Sequence, residues 1–413
     1  MATRIFFLVL ILLAIDIYAF QAVRVLAQNW SSTGRNVLYG IYWSITVLAF
    51  GTMLAAVSTD VNQWNKALFT IIRAILFITY FSKLLVAGVM LLDDLRRLLT
   101  GVYDYAVKDA PFNPGRSRFM SQVALIIGGL PFTSLTYGIL RNPYRYKKHQ
   151  KTVEIENLPE ALEGFKIVQI SDIHSGSFTF KEPVKNSVAM INEENPDLVF
   201  FTGDLVNSIA TEAEPYIDVF DKIRAKHGVF SVFGNHDYGD YASWPSQEAK
   251  RENLKHLESI HARMGWQLLR NENRILDING AKLAVIGVEN YSASPRFQKY
   301  GDLPKAYRGA ENADLKLLLS HDPSHWDDQV NKDFKDIALT FSGHTHGFQF
   351  GIEIPGWLRW SPSQYVYKQW AGLYQEGKQF LYVNRGLGFL GYPGRVGILP
   401  EVTVITLKKK TSI

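Results

Sequence analysis

The sequence predicts two domains: a membrane domain of four helices, followed by a layered α/β domain with mixed sheets. Four long apolar runs occupy the first 150 of the 413 residues, and short apolar runs separated by polar helical stretches occupy the rest. The charge changes at the same place. Residues 1–150 hold 15 Lys and Arg against six Asp, whereas the remainder holds 29 basic and 33 acidic residues. We therefore expect a membrane domain over residues 1–150 and a second domain over residues 151–413.

The composition excludes several classes of protein and of site. The hydrophobic share of 47% and the charged share of 20% exclude a chain that is mainly disordered. The chain has no cysteine, which excludes a disulfide scaffold, a thiolate zinc site, an iron–sulfur cluster and a cysteine nucleophile. The net negative charge of residues 151–413 argues against nucleic acid as a partner. Any metal ion must therefore be held by His, Asp, Glu or Asn.

The four apolar runs cover residues 5–27, 38–58, 68–92 and 119–140. Each is close to the roughly 20 residues that a helix needs to cross a bilayer. Asp16, Arg73 and Lys83 lie inside or near the ends of these spans. They are either buried functional charges or, as we expect, side chains that extend to the membrane interface.

The distribution of Lys and Arg gives the expected orientation. The short loops on the two sides of the membrane carry seven basic residues each, so their number alone does not decide the orientation. A dense basic run at residues 141–151 directly follows the fourth span. Because basic residues next to a span favour the cytoplasmic side, we expect the second domain to be cytoplasmic.

Five short apolar runs in the second domain each end in a polar cluster. Helical stretches at 183–194 and 215–223 separate the first three runs, a pattern that predicts βαβ units. Residues 274–288 predict a hairpin around Asn279-Gly280. Ligands of open α/β sheets bind beyond the carboxyl ends of the strands. We therefore expect polar residues after the five runs to converge at one edge: Asp172, His174, Asp204, Asn235, His236, His321, His344 and His346.

These residue types indicate a metal centre. Asp172 and His174 are two positions apart, as are His344 and His346, which in an extended segment places both side chains of a pair on one side, so that each pair can hold one ion or straddle two. Carboxylate and amide oxygens mixed with imidazoles suit Mn²⁺, Fe or Zn²⁺. Seven candidate ligands indicate two divalent ions with one bridging carboxylate, an arrangement that supports in-line displacement at phosphorus.

Two further residues are expected to act in catalysis. His236 follows a candidate ligand and is placed to protonate a leaving group, with Asp237 orienting its ring.

The ordered set Asp172-x-His174, Gly203-Asp204, Gly234-Asn235-His236-Asp237, His321 and Gly343-His344-x-His346 resembles the calcineurin-like metallophosphoesterase family. The resemblance covers about residues 153–407 and implies a four-layer αββα sandwich with a dimetal site. It also implies the ligand sets. Asp172, His174, Asp204 and His346 would hold one ion. Asp204, Asn235, His321 and His344 would hold the other, with Asp204 as the bridge and His236 as the acid.

The run SGHTHGFQFG and the later RGLGFLGYPGR stretch look like those of the bacterial membrane-associated branch of that family. This similarity implies a protein of the bacterial inner membrane that hydrolyses a phosphoester or pyrophosphate, with an amphiphilic, lipid-linked substrate and the bilayer as partners. No obligate protein partner is inferred. A narrower alternative is a UDP-2,3-diacylglucosamine-type pyrophosphate hydrolase of lipid A synthesis. An alternative of a different class is a non-catalytic membrane receptor with a phosphoesterase-like binding domain.

Three further features of the sequence are each compatible with two roles. Phe348 stands where similar proteins often have glycine, and its ring either narrows the pocket or adds a membrane contact. Residues 351–374 are rich in Trp and Tyr and form either a packed loop or an interfacial segment, with Pro355 and Pro362 excluding a continuous helix. Arg385 and Arg395 either contact substrate phosphate or lie at the surface.

Overall fold

The computed structural model describes residues 2–59, 64, 66–108, 118–354 and 356–410. Pro355, one of the two prolines of the aromatic segment, lies outside these ranges. The four predicted spans are confirmed as helices that are long and apolar enough to cross a membrane. They are α1 (Ala2–Ala27), α2 (Ser32–Ser58), α3 (Lys66–Tyr103) and α4 (Arg118–Arg141).

Helix α3 continues beyond the predicted third span, through two acidic and two basic residues. Asp93 pairs with Arg96 at 2.8 Å and Asp94 pairs with Arg97 at 2.9 Å, both across three positions of the helix. Such pairs stabilise a helix in a polar environment. The apolar run at residues 68–92 therefore predicted only the part of α3 that is apolar enough to lie in the hydrocarbon core, and not the full length of the helix.

Two charged residues of the spans face each other rather than the membrane interface. Asp16 is fully buried, and the Lys83 ammonium lies 2.5 Å from one of its carboxylate oxygens. The Tyr80 hydroxyl donates to the other oxygen at 2.8 Å, and the Tyr42 hydroxyl donates to the Asp16 carbonyl at 2.7 Å. The expectation that Asp16 and Lys83 extend to the interface was wrong, because each finds its counter-charge within the bundle.

The second domain is built on fourteen strands in the described residues. Five of them, numbered β2, β3, β4, β8 and β9 in the list that follows, lead into the predicted polar clusters. The strands are β1 (Lys147–Ile155), β2 (Lys166–Ile170), β3 (Leu198–Phe201), β4 (Val229–Ser231), β5 (Trp266–Leu268), β6 (Glu272–Ile278), β7 (Ala281–Gly287), β8 (Leu315–Leu319), β9 (Leu339–Ser342), β10 (Ile352–Ile354), β11 (Leu358–Trp360), β12 (Gly372–Glu376), β13 (Gln379–Val383) and β14 (Glu401–Lys409).

Two six-stranded mixed sheets form the centre of this domain. The first has the order β1-β14-β2-β3-β4-β5 and the second the order β12-β13-β9-β8-β7-β6, and β10 and β11 form a separate hairpin. Strands β6 and β7 pair antiparallel, as predicted. Asn279 and Gly280 connect them with φ of 51° and 88°, which a two-residue hairpin turn of this type requires.

Helices cover the outer faces of both sheets. Val184 of α5 (Glu182–Glu193), Val219 of α6 (Ile217–Phe220) and Leu257 of α7 (Gln247–Arg263) pack with the first sheet. Leu303 of α8 (Leu303–Tyr307) packs with the second sheet, and α9 (Asn331–Asp333) is a single short turn. A third apolar core lies between the sheets, where Phe200 and Phe341 meet. Helix, sheet, sheet and helix therefore form four layers around three apolar cores.

Close contacts divide the chain into two compact units, Met1–Tyr137 and Gly138–Ile413. The predicted boundary between residues 150 and 151 falls inside β1, which pairs in parallel with β14 over its full length. Residues 147–150 thus already contribute to the first sheet. The exact limits of the two domains stay a prediction.

Candidate metal centre

The seven predicted ligands lie together at one edge of the two sheets. Strands β2, β3 and β4 run parallel in the first sheet, and β8 and β9 run parallel in the second. Their carboxyl ends bring the following loops to one place, as expected for open α/β sheets. The candidate ligands are buried, except that His344 is half-buried: Asp172, His174, Asp204, Asn235, His321, His344 and His346.

The first cluster consists of Asp172, His174 and His346, whose candidate ligand atoms lie within 4.8 Å of one another. Nε2 of His174 lies 3.0 Å from Nε2 of His346. The same His346 nitrogen lies 3.2 Å from Oδ1 of Asp172. Three donor atoms from three loops therefore point at a common centre.

The second cluster consists of Asp204, His321 and His344, again with ligand atoms within 4.8 Å. Oδ2 of Asp204 lies 3.2 Å from Nε2 of His321. Oδ1 of Asn235 lies 3.2 Å from that nitrogen and 2.8 Å from Nδ1 of His344, so Asn235 joins the cluster. Oδ2 of Asp204 is also 3.6 Å from Nε2 of His174 in the first cluster. Asp204 therefore stands where a bridging carboxylate would stand.

The donor chemistry fits two divalent ions. A neutral imidazole has one N–H and one nitrogen with a free lone pair. In each cluster, ring nitrogens face one another and a buried carboxylate. The clusters therefore hold more lone pairs than hydrogens to share between them, and a positive ion can accept these lone pairs. The side chain of His174 also keeps a buried Nδ1 without a hydrogen-bond partner in the described structure. Oxygen and imidazole donors without sulfur are those that Mn²⁺, Fe and Zn²⁺ accept. The residues present therefore fit the two ions that the sequence predicts.

Burial and the neighbouring charges perturb the titration of two candidate ligands. Burial lowers the pKa of His174 to about 3. Burial also acts to lower the pKa of His321, but the adjacent Asp204 carboxylate overcomes it and raises that pKa to about 10. Because a metal ligand must be free of its proton, ion binding would replace the proton that His321 shares with Asp204.

The backbone at the ligands is not extended. Asp172, His174, Asp204, His344 and His346 all have positive φ, between 47° and 71°. The expected extended backbone was therefore wrong, although both expected arrangements of a pair, within one cluster or across two, occur. Asp172 and His174 do share a cluster, but His344 and His346 lie in different clusters. Left-handed backbone at non-glycine residues costs about 1–3 kcal/mol each and concentrates at functional sites.

Glycine permits the close approach of two ligand loops. Gly203 precedes Asp204 and has φ of 97°, and a Cβ there would lie 2.5 Å from the backbone nitrogen of Gly234. Any side chain at Gly203 would therefore push the Asp204 loop away from the Asn235 loop.

His236 and Asp237 differ from the prediction in one respect. Nδ1–H of His236 donates to the Asn207 carbonyl at 2.6 Å, so the carbonyl and not Asp237 orients the ring. The Asp237 carboxylate is fully buried and accepts backbone N–H groups at 2.8–3.3 Å from four residues. The orienting role expected of Asp237 was wrong, because both of its oxygens are used by the loops. The four donors belong to Asp204, Leu205, Val206 and Gly234.

Sequence reasoning missed two residues that contact His344. The Tyr367 hydroxyl lies 2.7 Å from Nε2 of His344, and Oδ2 of Asp322 lies 3.5 Å from the same nitrogen. Such partners hold a ligating ring in place. Asp322 directly follows a predicted ligand, which was an available signal, whereas Tyr367 was only one of several tyrosines in an aromatic segment.

Arg385 and Arg395 are not surface residues. Arg395 is fully buried, and its guanidinium donates to the carbonyls of Gly388, Arg385 and Gly386, with Nη2 at 3.4 Å from Nδ1 of His346. Arg385 pairs with two glutamates away from the ligands. Arg395 therefore braces the glycine-rich loop beside the first cluster.

Comparison with known proteins shows the family. The family described as "Calcineurin-like phosphoesterase" matches residues 165–348, and "Probable Calcineurin-like phosphoesterase, transmembrane domain" matches residues 3–143. The "Uncharacterized metallophosphoesterase YkuE" of Bacillus subtilis is 30% identical over 293 residues, which are 68% of this chain and 95% of that protein. The "Uncharacterized metallophosphoesterase YkoQ" of the same organism is 25% identical over 69% of this chain and 98% of that protein.

An animal relative combines the same two features. The "Transmembrane protein with metallophosphoesterase domain" of Danio rerio is 29% identical over 66% of this chain and 60% of that protein. Together with the four candidate spans, these matches indicate an integral membrane protein. The chain belongs to the calcineurin-like metallophosphoesterases, a family of hydrolases that act on phosphoesters and typically bind divalent metal ions.

Proposed function

We propose that this protein hydrolyses a phosphoester or pyrophosphate bond of a lipid-linked substrate at the membrane surface, with a catalytic domain within residues 151–413. The observation that carries the proposal is that one segment both contacts the metal centre and exposes a row of apolar side chains. This segment, residues 347–367, directly follows the ligand candidate His346.

In this proposal, each cluster holds one ion. Asp172, His174, Asp204 and His346 would hold one ion. Asp204, Asn235, His321 and His344 would hold the other. When bound, two such ions lower the pKa of water at the site and neutralise the charge of the phosphoryl group.

His236 supplies the proton for the leaving group. Its ring centroid lies 5.0 Å from that of His174, which places it beside the first cluster. The Asn207 carbonyl holds Nδ1–H, so the ring presents Nε2 as its free nitrogen. The His236 backbone N–H donates to Oδ1 of Asp204 at 2.8 Å, which ties its position to the bridging carboxylate. When the ring is protonated to the imidazolium, Nε2 carries the second proton and can pass it to the leaving group from a fixed place, while Nδ1–H stays on the Asn207 carbonyl.

The apolar surface begins at the metal centre. Tyr367 reaches His344 from one end of segment 347–367, and Phe348, which is 64% exposed, lies at the other end. Exposed Trp and Tyr side chains favour the headgroup region of a bilayer, and several exposed large apolar side chains in one short segment suit such a contact. The exposure of Phe348 supports a membrane contact over a narrower pocket. Between these ends, the exposed apolar side chains are Ile352, Ile354, Trp357, Leu358, Tyr365 and Val366.

Hydrolysis of two substrates tests the proposal. Purified full-length protein with Mn²⁺ should hydrolyse a soluble aryl phosphoester and a phospholipid-like phosphoester in mixed micelles, and Asp204→Ala or His344→Ala should abolish both activities. The double variant Tyr365→Ser/Val366→Ser should lower turnover of the lipid substrate more than that of the soluble one. Ile275→Ser, an exposed apolar residue of β6, is the matched control and should change neither. Equal loss on both substrates would contradict the interfacial part of the proposal.

The same assay separates the alternatives. A panel that includes UDP-2,3-diacylglucosamine tests the narrower pyrophosphate hydrolase. Bound metal without turnover on any substrate would favour the non-catalytic receptor.

The proposed location is the cytoplasmic face of a bacterial inner membrane. The basic residues of the run at 141–151 support this orientation, since Lys and Arg next to a span favour the cytoplasm. Because the chain has no cysteine, Ser259→Cys provides a single exposed thiol in α7. A membrane-impermeant maleimide should label it only after the cells are opened. Labelling of intact cells would place the catalytic domain outside.

A further inference from the structure

A cavity of about 520 Å³ lies between strand β1 and the β10–β11 hairpin. None of the seven candidate metal ligands lines it. Its volume is in the range of sites for small ligands, about 300–1,000 Å³. Strand β1 contributes polar side chains to the lining, and the hairpin contributes Ile354, Trp357 and Leu358 beside two charged residues, so the cavity is amphipathic.

The two arginines of the cavity are neutralised by carboxylates. Arg385 binds Glu353 through Nη2 at 2.6 Å and Glu401 through Nη1 at 2.6 Å. Arg359 binds the same Glu353 at 3.2 Å and stacks on Trp370 at 4.4 Å. The charges of the two guanidinium groups and the two carboxylates cancel, and their ion pairs hold this wall of the cavity in place.

Two lysines of the cavity are not neutralised. Lys147 and Lys151 lie on the same face of β1, are exposed, and have no ion-pair partner among the residues that the structure describes. His149 lies between them on that face, and burial lowers its pKa, so the ring is neutral at neutral pH. The cavity therefore carries an excess of two positive charges beside a neutral imidazole.

The apolar side of the cavity is the hairpin tip. Trp357 is 78% exposed, and Ile354 and Leu358 are also exposed, so all three offer apolar surface to the solvent and to the cavity. A small soluble anion would gain no binding free energy from this apolar surface. A ligand that presents a phosphoryl group to the lysines and an acyl chain to the hairpin uses both sides.

We propose that this cavity binds the phosphate headgroup of an anionic phospholipid, with its glycerol and acyl chains along Trp357 and Leu358. This is a second, non-catalytic site, and it goes beyond the proposed function because it requires no hydrolysis. Bound lipid would hold the hairpin, and with it the segment that contacts His344, at the membrane surface.

Direct binding tests this site. Full-length protein in an uncharged detergent is titrated with dioctanoyl phosphatidylglycerol, dioctanoyl phosphatidylcholine and glycerol phosphate at low salt, and affinity is measured by microscale thermophoresis. We expect the anionic lipid to bind more tightly than both other probes. Lys147→Gln/Lys151→Gln should weaken its binding about thirtyfold, since each basic group near an anionic surface contributes about 1 kcal/mol.

The matched control is Lys408→Gln/Lys409→Gln on β14, which removes the same charge from two exposed lysines of the neighbouring strand that do not line the cavity. This control should leave the affinity unchanged. An equal loss in both double variants would overturn the site in favour of diffuse charge attraction. Equal affinity for glycerol phosphate, or for phosphatidylcholine, would overturn the assignment to an anionic lipid. Thermal unfolding of each variant shows that the fold is retained, and none of these outcomes depends on whether the protein hydrolyses a substrate.

Discussion

Replacement of Asp237 by alanine should destabilise the catalytic domain rather than only slow its chemistry. The Asp237 carboxylate is fully buried and accepts four backbone N–H groups from the two loops that carry Asp204 and Asn235. Each buried donor that loses its acceptor costs about 1 kcal/mol or more. The four together amount to about 4 kcal/mol, which corresponds to a fall of about 10 °C in the unfolding midpoint of a domain of this size.

The assay is thermal unfolding of the full-length protein, combined with its metal content. Asp277→Ala is the control, because Oδ1 of Asp277 is exposed and accepts a single N–H from Gly280 at 2.7 Å. We expect a shift of no more than about 2 °C for this control. If Asp237→Ala melts within about 2 °C of the wild type and keeps its metal but loses turnover, the carboxylate acts on His236 after all and the bracing role is refuted.

Two other variants test contacts around the site and in the core. Tyr367→Phe removes the hydroxyl that lies 2.7 Å from Nε2 of His344, and it should weaken metal affinity about 10–100-fold in a metal-buffered activity titration. The control is Tyr365→Phe, at an exposed tyrosine of the same segment. Equal metal affinity in the two variants would contradict the role of Tyr367. Burial acts to raise the pKa of Glu401, but Arg385 overcomes it and lowers that pKa to about 2. The lowered pKa of Glu401, to which Arg385 contributes most, therefore adds about 3 kcal/mol of stability above pH about 4.5, and this stability is lost as the pH falls toward 2. In Glu401→Gln, the free energy of unfolding should fall less steeply between pH 4.5 and pH 2 than in the wild type. An unchanged pH dependence would refute the role given to Glu401.

The sequence contained enough to predict the parts of the fold that depend on local pattern. Short apolar runs gave β2, β3 and β8, and the Asn279-Gly280 pair gave the β6–β7 hairpin. Because ligands of open α/β sheets bind beyond the carboxyl ends of the strands, the convergence of the ligand candidates followed from the polar cluster at the end of each apolar run.

Contacts between distant parts of the chain were not predictable in this way. Strand β1 pairs with β14, and residues 147 and 401 are partners in its register, yet neither run shows which strand it joins. The partner of the His236 ring is a carbonyl group, and every residue has one, so no residue type marks Asn207. The positive φ of the ligands was equally invisible, because it is imposed by loops that the sheets hold in place.

Tyr367 and Asp16 show the same limit for side chains. Nothing distinguishes Tyr367 from its aromatic neighbours until the chain brings it to His344. An aspartate in an apolar run is equally compatible with an interfacial position and with a buried pair. Only the packing of α1 against α3 supplies Lys83 as the partner of Asp16.

Metal content measured together with turnover tests the central claim most directly. Full-length protein, saturated with Mn²⁺ and freed of excess ion, should hold about two ions per chain, and His346→Asn should hold about one. Asp204→Asn should hold neither ion and should lose all hydrolysis, because Asp204 stands between the two clusters. Full metal content and turnover in Asp204→Asn, or a wild-type protein that hydrolyses phosphoesters without bound metal, would contradict the account.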